Sequence, residues 1–171
     1  VQEGLNMFEI AIEFERMGLG RAQDFLSLCE NKAFIKEAIH INAATLEGFL
    51  FPDTYKITKY FGARDLIKKM TGRFQEVVKD IKTRTEVKLS TVEWVTLASI
   101  IEKETGAPDE RPLVASVIFN RLKKKMRLQM DTTTIYGMWR KTGVPVKNIS
   151  KADLLEKNEY NTYMISGLPA G

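Results

Sequence analysis

Between Thr91 and Glu104 the chain carries Val92, Trp94, Val95, Leu97, Ala98, Ile100 and Ile101, so a helix built from it has little polar surface left. Such a helix is expected deep in a domain, with neighbours on several sides. Ser90 followed three residues later by Glu93 has the form of a capping box, which predicts a helix start near Thr91. Glu102 then falls on one stripe with Val95, Ala98 and Ser99, expected to be wall rather than solvent face. Glu104, two residues on, turns most of the way to the other side, so the two glutamates do not form a close pair on one face.

Two readings of Glu102 stand side by side. A carboxyl desolvated among apolar groups keeps its proton more readily, which is what a general acid requires. Alternatively the side chain sits at the last turn and reaches water or an arginine such as Arg111 or Arg121, as structural ion pairs do.

The 171 residues are 44% hydrophobic and 28% charged, enough for one domain with a small appendage. The net charge of +4 is spread among interleaved acids, and Lys123-Lys124-Lys125, the longest basic run, reads as the solvated end of a helix. No nucleic-acid stripe is present. Cys29 is the only cysteine and His40 the only histidine, which removes internal disulfides, Ser-His-Asp and Cys-His machinery, and His-rich zinc sites. His40, between Ile39 and Ile41, reads as structural. The sequence opens on Val1 as a fragment would, and it contains no apolar run long enough to span a membrane.

In chain order, residues 1–46 are expected to be helical in two or three pieces. Phe8, Ile10, Ala11, Phe14 and Met17 form an apolar face ending at Gly18, followed by helices over 22–29 and 32–38. Leu46-Glu47-Gly48-Phe49-Leu50-Phe51-Pro52-Asp53-Thr54-Tyr55 mixes aromatics with Gly and Pro and is a shaped loop, either a core plug or the wall of a groove. A short strand is expected at 55–57. Residues 63–82 follow as a long amphipathic helix with Leu66, Ile67, Met70, Phe74, Val77, Val78 and Ile81 as its core stripe. After the break at Gly106-Ala107-Pro108 a helix runs through Leu122, residues 127–131 alternate like a strand, and Asp131 stands where it can cap the next helix. Ser150 is expected to cap a helix over 151–155, and the chain ends in loop chemistry, Gly-Leu-Pro-Ala-Gly.

Taken in order, several pieces resemble the endolytic murein transglycosylases of the MltG type, also called YceG-like proteins, over nearly the whole chain. They are the 46–55 loop, Ala98-Ser99-Ile100-Ile101-Glu102-Lys103-Glu104, Asn120-Arg121-Leu122, Leu128-Gln129-Met130-Asp131 with Thr133 and Tyr136-Gly137, and Tyr160-Asn161-Thr162-Tyr163 with Gly167-Leu168-Pro169. Each is weak alone; the order is specific.

The resemblance implies a mostly helical α+β protein. A partial LysM-like module at 1–46 would precede a YceG-like catalytic domain at 47–171, with further residues expected at both ends. It implies a lyase that cuts peptidoglycan glycan between N-acetylmuramic acid and N-acetylglucosamine, leaving 1,6-anhydro ends, with Glu102 as acid and base and no metal or cofactor. By match to the motifs, Glu47, Asn120, Gln129, Asp131, Thr133, Tyr136, Asn161 and Tyr163 are the expected substrate-binding residues. The implied full-length protein is a single-pass membrane protein with this part outside the cytoplasm, facing the wall and peptidoglycan synthases. Thr132 and Ala170 stand where the family commonly has proline, loosening the adjoining turns.

Two other functions compete. A non-enzymatic wall-binding or scaffold module would hold glycan without cutting it. A pyridoxal-phosphate lyase, matching an older family label of aminodeoxychorismate lyase, needs a Schiff-base lysine and a phosphate cup, and neither stands out.

Overall fold

The computed structural model describes residues 1–58 and 60–171 and is mostly helical, with no strand among the described residues. The chain divides into two units, Val1–Val92 together with Gly171, and Glu93–Ala170.

The first unit begins with α1 (Met7–Arg16), capped by a reciprocal box between Asn6 and Glu9 and burying Met7, Ile10, Ala11 and Phe14. The chain turns back through Gly18 and Gly20. At Gly20 a side chain would strike the Phe14 ring at 2.9 Å and would have to tolerate a φ of +152°. α2 (Ala22–Glu30) returns along α1, its Phe25 ring lying 5.3 Å from that of Phe14. α3 (Lys32–Ile39) is capped by Asn31 and ends on His40 in the left-handed region, so His40 has the structural role its neighbours suggested.

The aromatic loop that follows plugs this unit. Leu46, Phe49 and Leu50 are buried, the Leu46 N–H donates to the Cys29 carbonyl, and Phe49 meets Phe74 edge-on at 5.0 Å. Phe74 belongs to α4 (Ala63–Thr83), which buries Leu66, Ile67, Met70, Thr71 and Phe74. The expected stripe runs out toward the end of this helix, where Ile81 is exposed.

Gln75 donates to the Ala38 carbonyl, Arg64 lies over the Phe34 ring, and Arg64 and Lys68 pair with Glu37, so residues 1–46 pack against 47–92. By packing, the two compact units meet between Val92 and Glu93. The short strand expected at 55–57 is irregular chain, its tyrosine hydroxyl donating to the Phe51 carbonyl at 2.6 Å.

The second unit takes up most of α5 (Thr91–Glu104) and adds α6 (Arg111–Lys123), α7 (Asp131–Thr142) and α8 (Lys151–Leu155). α8 has the expected cap, a box between Ser150 and Asp153. Its core combines Leu97, Ile100, Ile118 and Leu128 with threonines and Asn161. Tyr136 packs edge-on against Tyr160 at 5.2 Å. Gly137 beside it has no room for a side chain, because a Cβ would lie 2.8 Å from Asn158 Oδ1 and 2.9 Å from the Tyr160 Cβ. The Tyr-Gly pair is thus a packing device.

The alternating segment before α7 is not a strand. Gln129 takes a φ of +53°, which throws the chain off any pleat, and its N–H makes one link to the Thr162 carbonyl.

Candidate functional site

On α5 the buried residues are Thr96, Leu97 and Ile100. At about 100° per residue this stripe lies opposite Glu102. Ala98 and Ser99 beside Glu102 are exposed, so its stripe is an open face and not the expected wall. The Glu102 side chain is 37% exposed, and its Oε2 pairs with Arg111 Nη2 at 3.0 Å. The ion pair foreseen as one of two readings is therefore present, and the desolvated setting is not.

Arg111 reaches Glu102 because the α5–α6 connection is locked. Thr105 donates its hydroxyl to Glu110 Oε2 at 2.6 Å and accepts from the Ala107 N–H, which fixes the start of α6 at Arg111.

Glu104 looks the other way. Its Oε1 accepts from the Thr132 hydroxyl at 2.7 Å. Thr132 is the position where the resemblance leads one to expect proline; here it supplies a hydroxyl instead. Beside it, Asp131 is the first residue of α7 and Met130 the N-cap, so Asp131 is not the cap expected from its spacing. Its carboxylate accepts from the Tyr163 hydroxyl at 2.6 Å. That hydrogen bond, then burial and the nearby charges of Asp131 and Glu104, push the Tyr163 phenol up to about 12 against the opposing pull of Arg121.

Arg121 anchors the neighbouring loop. Its guanidinium donates to the carbonyls of Leu128 and Arg127 and to Gln129 Oε1, holding the left-handed turn at Gln129. Arg127 in turn donates to the Tyr163 carbonyl at 2.9 Å.

The expected substrate-binding residues fall into three groups. Gln129, Asp131 and Tyr163 are drawn together with Glu104, Thr132 and Arg121 into one polar patch, and Asn120 is exposed near the end of α6. Thr133, Tyr136 and Asn161 are interior or half-interior. The Thr133 hydroxyl lies 2.8 Å from that of Thr162 and donates to the Met130 carbonyl. Asn161 is fully buried and donates through Nδ2 to the carbonyls of Asp153, Leu154 and Glu156. Its Oδ1 accepts from the Thr134 hydroxyl and the Tyr163 N–H. Glu47, in the first unit, accepts from the N–H of Met7 at 3.1 and 3.2 Å and so holds the loop to the start of α1.

The role of Arg121 was not legible beforehand beyond its place in Asn120-Arg121-Leu122, because its partners are backbone carbonyls that no sequence pattern names. Among the described residues no cluster of His, Cys, Asp and Glu could hold a metal ion, and no helix is long and apolar enough to cross a membrane.

The model of the YceG-like family matches residues 1–171. The chain belongs to this family. A protein of Bacillus subtilis (strain 168) named endolytic murein transglycosylase is 35% identical over 151 residues, covering 87% of this chain and 40% of that protein. One of the same name from Streptococcus pneumoniae serotype 2 is 30% identical over 170 residues, covering 88% of the chain and 30% of the relative. The crystal structure of a YceG-like protein from Listeria monocytogenes superposes over 100% of the chain and 60% of its own, with a TM-score of 0.87 at 29% identity. The chain thus spans well under half the length of these named relatives.

The Asp131–Tyr163 contact yields a measurable outcome. A tyrosine whose phenol is raised in the folded state keeps its proton longer than in the unfolded chain. Any stability from this contact is therefore complete below the ordinary value near 10 and is lost as pH rises toward about 12. Following phenolate absorbance against pH should show one tyrosine titrating late, and Asp131→Ala, which removes both the acceptor and its charge, should bring it back toward 10. An unchanged titration in that variant would show that the hydrogen bond does not hold in solution.

Proposed function

We propose that this chain is part of a lytic transglycosylase that cuts peptidoglycan glycan internally, with Glu102 as its single acid and base. The observation that carries the reading is Glu102 itself, in a YceG-like chain. It is partly open to solvent, and its polar partner is an arginine rather than a second carboxylate. The names of the relatives supply the substrate class, murein.

Glu102 gives its proton to the glycosidic oxygen as the bond from C1 of N-acetylmuramic acid breaks. The resulting carboxylate takes the proton from the sugar's C6 hydroxyl, and O6 bonds to C1, closing a 1,6-anhydro ring. Glu102 ends protonated as it began, and no water is consumed. Hydrolytic glycosidases place two acids across the bond, one of them activating water or attacking the sugar. An internal hydroxyl already in position needs no such partner. Asp131, the other acid singled out in the sequence, is engaged by Tyr163. Gln129, Asp131, Tyr163 and Asn120 serve the glycan directly on this reading, while Thr133, Tyr136 and Asn161 support the surface that presents it, and Glu47 holds the aromatic loop of the first unit.

The same reading makes residues 1–46, with the α1–α2 pair, the helical part of a LysM-like module. It places the whole protein at the membrane with this part outside the cytoplasm, near peptidoglycan synthases. Digestion of purified sacculi followed by mass analysis tests the chemistry. The released muramyl ends should be lighter by one water than hydrolysed ends, and reducing ends would overturn the mechanism. Sacculi that are bound but never cut would favour the scaffold alternative.

A further inference from the structure

Arginine grips a carboxylate best through two adjacent N–H groups on one edge of the guanidinium. Arg21 does this in the first unit, with Nε 3.0 Å from Asp24 Oδ2 and Nη2 2.8 Å from Oδ1. Arg111 does only half of it. Its Nη2 meets Glu102 Oε2 at 3.0 Å, while Nε, on the same edge, is buried and has no hydrogen-bond partner. A buried N–H left without an acceptor is costly and calls for an explanation. The locked turn after α5 keeps the arginine in place, since Glu110, immediately before it, is held by Thr105.

From this geometry we infer that Arg111 is the positioning residue of the proposed acid, fixing Oε2 of Glu102 and leaving Oε1 as the oxygen that exchanges the proton. The inference rests on the transglycosylase reading above. A protonated carboxyl has one good acceptor oxygen, and a single arginine N–H satisfies it while the O–H is aimed at the glycosidic oxygen. A carboxylate has two acceptors. Once the proton has left, a small turn of Glu102 brings Oε1 to the waiting Nε–H and completes the two-pronged grip. Taking the proton from the C6 hydroxyl reverses that turn. The unused donor therefore has its partner in the second half of the reaction, where negative charge appears.

The test compares Arg111→Gln and Arg111→Lys with the unmodified protein, using purified glycan strands as substrate. Each is paired with a thermal unfolding midpoint and with Glu102→Gln. Misplacing a reacting group can cost up to about 10²-fold, so Arg111→Gln should lower kcat by about tenfold or more. KM should stay within about twofold, because the loss falls on the chemical step. The unfolding midpoint should not move. Lysine keeps the charge without the fork and should recover part of the loss. In the Glu102→Gln background, Arg111→Gln should add nothing.

A rise in KM alone would make Arg111 a substrate contact and overturn the inference. Equal losses in both variants with a lowered midpoint would make it merely structural. If Glu102→Gln is inactive and Arg111→Gln keeps full kcat, this inference fails while the transglycosylase reading stands. If Glu102→Gln still cuts, both fall together.

Discussion

Glu102→Gln is expected to reduce release of anhydro-ended glycan by at least about 10²- to 10⁴-fold, the usual contribution of a positioned acid-base group. Glutamine keeps the length and shape of the side chain, and its carbonyl oxygen can still face Arg111 Nη2 across the 3.0 Å contact. What it loses is the proton. Because Glu102 lies opposite the buried stripe of α5, the variant should unfold at an unchanged midpoint and bind glycan as before. Retained cutting would remove Glu102 from the mechanism.

The same assay separates one acid from two. Asp131 opens α7, where a negative charge is worth roughly 0.3–1 kcal/mol near the positive end of the helix dipole. Asparagine in its place can still accept the Tyr163 hydroxyl. Asp131→Asn should therefore remain active under conditions where Glu102→Gln is not. An equally inactive Asp131→Asn would point to a second catalytic carboxylate and to hydrolysis.

Helices were legible where periodicity and caps agreed. The start of α5 at Thr91, the Ser150 cap of α8, and the span of α4 follow from local patterns that the packing does not contradict. Segments whose shape depends on distant partners were not legible. The 127–131 stretch alternates in hydrophobicity, yet Arg121 pins its carbonyls and Gln129 turns left-handed, so no strand forms. The open face around Glu102 has a related physical origin. A small or apolar residue such as Ala98 is compatible with either face of a helix, and only packing decides which stripe is buried. Residues before and after 46 are also tied together by contacts of long sequence separation, Gln75 to the Ala38 carbonyl and Arg64 and Lys68 to Glu37, which no local pattern announces. Motif matching gathered Gln129, Asp131 and Tyr163 into one patch, but it does not distinguish a residue that touches a ligand from one that supports the touching surface.

Asn161 is where that distinction has its largest expected effect. It belongs to a motif read as substrate-binding, yet it is fully buried, and its amide joins the carbonyls after Ala152 to the chain between Thr134 and Tyr163. Truncation to alanine would strand several buried carbonyls, each unmet group costing about 1–3 kcal/mol. Water entering the vacated space would offset part of this, leaving a net loss on the order of 3–5 kcal/mol. Against a typical domain stability of about 5–15 kcal/mol, that brings the second unit close to unfolding. Asn120 is the contrast. It is exposed, so Asn120→Ala should leave stability within about 0.5 kcal/mol and weaken glycan binding. Denaturant unfolding of both variants, followed by binding to sacculi at a temperature where each is folded, separates the two roles. A folded Asn161→Ala protein with an unchanged midpoint and weakened glycan binding would return Asn161 to the substrate and make the buried network incidental.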